Sequence, residues 1–124
     1  MGYSVKIKNS KIIPKESDIV RQICKYLQAK GEFFWRHNNV GVFSKKANAY
    51  LKPRYGIKGV PDIFWIKQKM FCAIEVKSES GKVSGDQENF RFQWESRGGK
   101  YLVVRSLLEL INQKYISEVK VVAV

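Results

Sequence analysis

DIFWIKQKMFCAIEVK, residues 62–77, holds two runs rich in β-branched and aromatic side chains, Asp62 to Ile66 and Met70 to Lys77. Only Lys67-Gln68-Lys69 separates them. Strand-forming runs around so short a polar break predict an antiparallel hairpin. With Gln68-Lys69 as its turn, position i pairs with 137 − i, and Asp62 lies opposite Glu75. The turn is not of the Asn-Gly type, which leaves a one-residue slip open. In either register the two carboxylates begin and end the same hairpin. Like charges opposed across a strand pair destabilise a sheet, so the pair needs something to compensate, which a divalent cation would supply. Hard oxygen ligands suit Mg2+ or Mn2+. Side chains alternate along a strand, so Glu75 and Lys77 share a face while Val76 points to the other. Two carboxylates that fix a cation, with an ammonium group beside them, form a set suited to metal-assisted phosphodiester hydrolysis. Alone, Glu75-Val76-Lys77 reads as an ordinary surface ion pair; Gly59-Val60-Pro61-Asp62 upstream turns it into a candidate site.

Outward from the hairpin, the pattern predicts further elements. A helix is expected from Pro14 and Lys15 to Lys30, stopped by Gly31, with Ile19, Val20, Ile23, Cys24 and Leu27 as its apolar stripe. Residues 3–8 alternate weakly, as a short strand or arm. Residues 33–36 (Phe-Phe-Trp-Arg) read as a buried strand, and Val40 to Lys52 as short extended segments. A second helix, 86–97, opens with Ser84 and Gln87 in capping-box spacing and stops at Gly98-Gly99. Residues 101–105 predict a strand, and Ser106 with Glu109 a second capping box whose helix runs to Tyr115. The tail Val119 to Val124 reads as a last strand or a pairing edge. The succession is that of an α/β domain, a mixed central β-sheet flanked by α-helices. At 124 residues a single domain is expected over 1–124, with 1–13 as an N-terminal arm or strand.

Composition narrows the partners. Lys and Arg number 23 against 11 Asp and Glu, and a net charge of +12 points to a polyanion, nucleic acid before membrane. No apolar run approaches the ~20 residues of a spanning helix, and no signal-peptide pattern opens the chain. Cys24 and Cys72 have no metal-binding spacing and read as reduced thiols, which with the missing export signals predicts a cytoplasmic protein.

The ordered set of motifs resembles the PD-(D/E)xK nucleases, and more narrowly a stand-alone, virus-type VRR-NUC domain. The matching pieces are Glu16; Gly31 followed by Trp35-Arg36 and Asn38-Asn39; Lys58-Gly59-Val60-Pro61-Asp62; Ala73-Ile74-Glu75-Val76-Lys77; Gln87; and Gly99 to Ser106. Together they cover the chain from about Glu16 to Leu110. The resemblance implies a restriction-endonuclease-like core. It implies metal ligation by Asp62, Glu75 and the backbone carbonyl of Val76, with Lys77 serving the nucleophilic water. Glu16 would complete the acidic cluster and Gln87 would line the site. The implied activity is an Mg2+- or Mn2+-dependent DNA endonuclease acting as a homodimer on branched or structured DNA such as four-way junctions. A non-catalytic DNA-binding module on the same fold and a structured-RNA nuclease are the alternatives.

Other residues have ordinary readings beside the functional ones. Glu16 in a helix's first turn complements the helix dipole, and Gln87 satisfies a capping box. Phe90 and Trp94 read as core. The acid-free stretch from Phe33 to Pro61 carries Arg36, Lys45, Lys46, Lys52, Arg54 and Lys58 among Tyr50 and Tyr55, which suits a phosphate-backbone cradle; Arg91 joins it from the second helix. His37, the only histidine, reads as a local hydrogen-bonding residue rather than a general base. Asn38-Asn39 reads as a turn.

Overall fold

The computed structural model describes residues 5–8, 11–37, 42–51 and 54–113, with the side chains of 5–8, 11, 12 and 42 left aside. Lys52, Asn38-Asn39, Tyr115 and the tail from Val119 lie outside the described residues.

The elements follow the order β1 (Val5–Lys8), β2 (Lys11–Pro14), α1 (Glu16–Ala29), β3 (Phe33–Arg36), β4 (Val42–Ser44), β5 (Ala49–Leu51), β6 (Ile63–Lys67), β7 (Met70–Val76), α2 (Gly85–Glu95), β8 (Lys100–Val104) and α3 (Leu107–Ile111). The central sheet has the order β3-β6-β7-β8, with small hairpins β1-β2 and β4-β5 beside it. Strands β3, β6 and β7 run antiparallel, and β8 joins β7 in parallel. The chain between β7 and β8 carries α2, as a parallel connection requires.

The hairpin keeps the expected register. Ile63 faces Ile74, Phe64 faces Ala73 and Lys67 faces Met70 around the Gln68-Lys69 turn. Gln68 takes φ +55° to close it without an Asn-Gly pair. Alternation then sorts the hairpin onto two faces. Ile63, Trp65, Cys72, Ile74 and Val76 pack with Ile19, Val20, Ile23 and Leu27 of α1 and Leu110 of α3. Phe64 and Ala73 pack with Phe90 of α2 and Tyr101 of β8. Strand β7 is thus buried on both sides, which explains why its apolar residues run nearly unbroken. Ile74 is fully buried. Ile74→Ala is expected to cost about 2–5 kcal/mol of stability in urea denaturation; a loss below about 1 kcal/mol would show that this core relaxes around the gap.

Several boundaries differ from the pattern's expectation. Pro14 does not open α1; it ends β2, opposite Val5, and Lys15 precedes the helix without a side-chain cap. A proline lacks the ladder donor, so a strand end accommodates it as readily as a helix start. Strand β3 forms but is not buried: Phe33 is 66% and Trp35 45% exposed. It is the sheet's edge strand. Helix α3 stops at Ile111, short of Tyr115, and its N-terminal capping box is only half made. Ser106 Oγ accepts from Glu109 N at 3.1 Å, while the Glu109 carboxylate accepts from Arg105 N at 3.2 Å. No helix among the described residues is long and apolar enough to cross a membrane.

Candidate active site

The acids stand on the α2 face of the sheet, at the end of the hairpin remote from its turn. Asp62 immediately precedes β6, and its backbone carbonyl accepts from His37 N at 2.8 Å, extending the β3–β6 ladder. Its Oδ2 accepts from Val76 N at 2.8 Å, which locks it across the hairpin. The Asp62 and Glu75 carboxyl groups are within hydrogen-bonding reach of each other. Glu75 is only 3% exposed and Lys77 only 8%. Lys77 Nζ lies 3.7 Å from Glu75 Oε2, while the Val76 side chain is buried in the α1 core.

A buried acid facing a half-buried one is costly to ionise together with it. Burial first, and then the Asp62 charge, push the Glu75 carboxyl up to about 8, against a partial opposing pull from Lys77. Burial likewise raises Asp62, although the bond from Val76 N pulls the other way. The pair therefore retains a proton at neutral pH or takes a cation in its place. As hard oxygen donors, these carboxylates are of the type that could hold a divalent ion such as Mg2+.

Gln87 closes its capping box and also reaches Glu75. Its backbone N donates to Ser84 Oγ at 3.2 Å and its Oε1 accepts from Ser84 N at 2.9 Å. The same side chain's Nε2 donates to Glu75 Oε2 at 3.1 Å. The capping box thus fixes the amide that holds the glutamate. Gly59 presses on the same helix start. With φ +74°, a Cβ there would overlap the Asp86 carbonyl and come within 2.7 Å of Gln87 N. Gly59→Ala is expected to shift the start of α2 and lower the melting temperature. An unchanged melting temperature would show that the loop and helix move apart without cost.

The other candidates are placed variously. Glu16 opens α1 and its Oε2 accepts from Ser78 N at 3.1 Å, tying the helix to the segment after Lys77. Its charge reaches both Asp62 and Glu75 and raises them further. It does not join them in a three-acid cage: among the described residues no group of three or more His, Cys, Asp or Glu is disposed to hold a metal. Arg36 pairs with Ile63, whose side chain packs on α1, so it lies on the face away from the acids, close enough to Cys24 to act on that thiol. Arg91 pairs with Glu95 at 3.1 Å and lies over the Tyr101 ring at 5.3 Å. Lys45 and Lys46 are exposed in the β4–β5 turn; Arg54 and Lys58 are exposed in the loop before Gly59. His37 sets its ring edge-on to Phe64 at 6.4 Å, as a packed residue.

Two residues escaped the sequence reading. Tyr101 is 5% exposed, and its hydroxyl finds no hydrogen-bond partner among the described residues. Burial and the Glu75 charge both keep that hydroxyl protonated. Its position follows only from the parallel pairing of Tyr101 with Ala73, two residues before Glu75. Arg105 donates to the carbonyls of Ser78 at 2.6 Å and Gly81 at 2.7 Å, clasping the segment beyond Lys77. Its place in the Gly99-to-Ser106 motif was the available signal.

No family model and no curated protein matches the sequence. Among solved structures, the chain is similar to one described as a "VRR_NUC domain", with a TM-score of 0.59 and 21% identity, over 81% of this chain and 97% of that one. With its central mixed sheet flanked by helices, this chain thus shares the restriction-endonuclease-like fold of that solved structure.

Proposed function

We propose that this protein is a divalent-metal-dependent DNA endonuclease. The observation that carries the reading is the pairing of half-buried Asp62 with buried Glu75, with Lys77 at 3.7 Å from Glu75. A protein that only binds DNA gains nothing from two acids aimed toward a polyanion, and a structural ion pair would not include a second, uncompensated carboxylate. The similar structure's description as a VRR_NUC domain favours the same reading.

Asp62, Glu75 and the Val76 carbonyl would hold Mg2+ or Mn2+. Such an ion supplies Lewis-acid polarisation of a phosphate and a more acidic water. Gln87 holds Glu75 in place through its amide. Lys77 orients the attacking water and stabilises charge developing on the phosphate. Glu16 acts on the pair through its charge while anchoring Ser78. Lys45, Lys46, Arg54 and Lys58, with Lys52 in the same stretch of sequence, supply the phosphate-backbone contacts expected of a +12 chain.

The substrate is read as branched or structured DNA, cut by a homodimer in the cytoplasm. One domain of this size covers little DNA, and two-fold symmetry would supply paired cuts. Cys24 and Cys72, read as reduced thiols, suit a reducing compartment. The test is cleavage of a labelled panel (linear duplex, single strand, flap, four-way junction, structured RNA) with Mn2+, Mg2+ or EDTA. Metal-dependent cutting is expected, strongest on the four-way junction. Tight binding without cutting in any metal would replace the enzyme with a DNA-binding module.

A further inference from the structure

Helix α2 links the acid pair to a second feature of the same face. Beyond Gln87, its residues Asn89, Phe90, Gln93, Trp94 and Arg97 line an open cavity of about 490 Å3, bordered on the other side by the exposed Ile57 of the loop before Gly59. That volume falls in the ~300–1,000 Å3 range of small-molecule sites. Its aromatic wall is fixed. Phe90 and Trp94 lie nearly parallel, 5.8 Å apart at 23°, and both rings meet Phe64 edge-on. Trp94 Nε1 donates to the Lys100 carbonyl at 2.8 Å, and any Cβ at Gly99 would collide with the indole. The rim is polar: Asn89, Gln93 and Arg97 are exposed, and the Arg97 guanidinium is held by Gln93 at 2.6 Å.

Aromatic floor, amide rim and nearby cation match the chemistry of a nucleobase, which has a π face and a hydrogen-bonding edge. Position agrees as well. At ~1.5 Å per helical residue, Phe90 and Trp94 stand roughly 5–10 Å along α2 from Gln87. That is a few nucleotide steps at ~3.4 Å each. A paired base cannot enter such a cavity, because its face is stacked and its edge is occupied. A base freed at a branch, bulge or gap can. We propose that this cavity receives one unpaired nucleobase of the DNA strand lying across the acid pair, and so selects substrates with an unpaired nucleotide near the cut. The proposal rests on the nuclease reading for the strand's position, but the pocket itself can be tested without catalysis.

The experiment measures fluorescence anisotropy in EDTA for three duplexes: fully paired, with a single-nucleotide bulge, and with an abasic residue in that bulge. The last isolates the base from the flexibility that any bulge introduces. The wild-type protein is expected to bind the base-containing bulge about tenfold more tightly than the abasic one, the scale of stacking one base on an aromatic ring. Asn89→Trp, which fills the cavity from an exposed helix position, should bring that ratio to about one, with circular dichroism confirming the fold. A 2-aminopurine placed at the bulge should lose fluorescence on binding the wild type and keep it with the variant. Equal binding of base and abasic bulges by the wild type, or a ratio unchanged in Asn89→Trp, overturns the pocket. A base preference without cleavage in any metal upholds the pocket while removing the nuclease; cleavage without base preference does the reverse.

Discussion

Lys77→Ala is expected to slow metal-dependent DNA cleavage about a thousandfold while leaving DNA affinity nearly unchanged, the upper range for removing one preorganised donor at a reacting centre. The two halves of that expectation come from different properties of the residue. Lys77 is buried and already engaged with Glu75, so it contributes little to the exposed positive surface that attracts DNA. It is one of 23 Lys and Arg residues, and losing one leaves the long-range attraction in place. Its position beside the acid pair, in contrast, is where charge would develop under the proposed hydrolysis. Single-turnover rates at saturating DNA separate the two effects, with affinity measured in EDTA. A rate loss under about tenfold would reduce Lys77 to a structural partner of Glu75.

The second large effect concerns stability. Without metal, the protein is expected to lose stability as pH rises from about 4.5 to about 8, the opposite of acid denaturation. The direction follows from proton counting. Glu75 titrates near 4.5 when unfolded but is raised to about 8 in the fold, so across that window the native state holds a proton the unfolded chain has released. Stability is full below the unfolded value and is lost as pH climbs through the folded one. Asp62, also raised, adds in the same direction. Each unit of displacement corresponds to about 1.4 kcal/mol, so the loss amounts to several kcal/mol. Urea midpoints in EDTA across this range should fall with pH in the wild type and flatten in Glu75→Gln. Mn2+ should restore stability at the alkaline end, because a cation there takes the place of the proton. A flat wild-type profile in EDTA would mean that the two carboxylates do not share a buried environment.

Much of this arrangement was legible in the sequence because it depends on short-range rules. Strand alternation and a two-residue turn determined the hairpin register, and with it the opposition of Asp62 and Glu75 and the common face of Glu75 and Lys77. The Ser84–Gln87 spacing determined where α2 begins, since the cap bonds form within a single turn. The apolar stripe of α1 announced its buried face. Tertiary structure decided what depends on neighbours distant in sequence. Phe33 to Arg36 has the composition of a buried strand, yet Phe33 and Trp35 are exposed, because burial depends on a strand's place in the sheet and β3 lies at the edge. Glu16 carries the signal of a helix dipole partner, but only the meeting of α1 with the end of β7 reveals its bond to Ser78. Tyr101 came beside Glu75 through a parallel pairing that no local pattern encodes. The cavity along α2 likewise needs Ile57 brought against the helix, a contact made where Gly59 lets two backbones approach. Local sequence thus determined the reactive pair, because its geometry is that of one hairpin; the surroundings were decided by packing, which alone joins residues that the chain keeps apart.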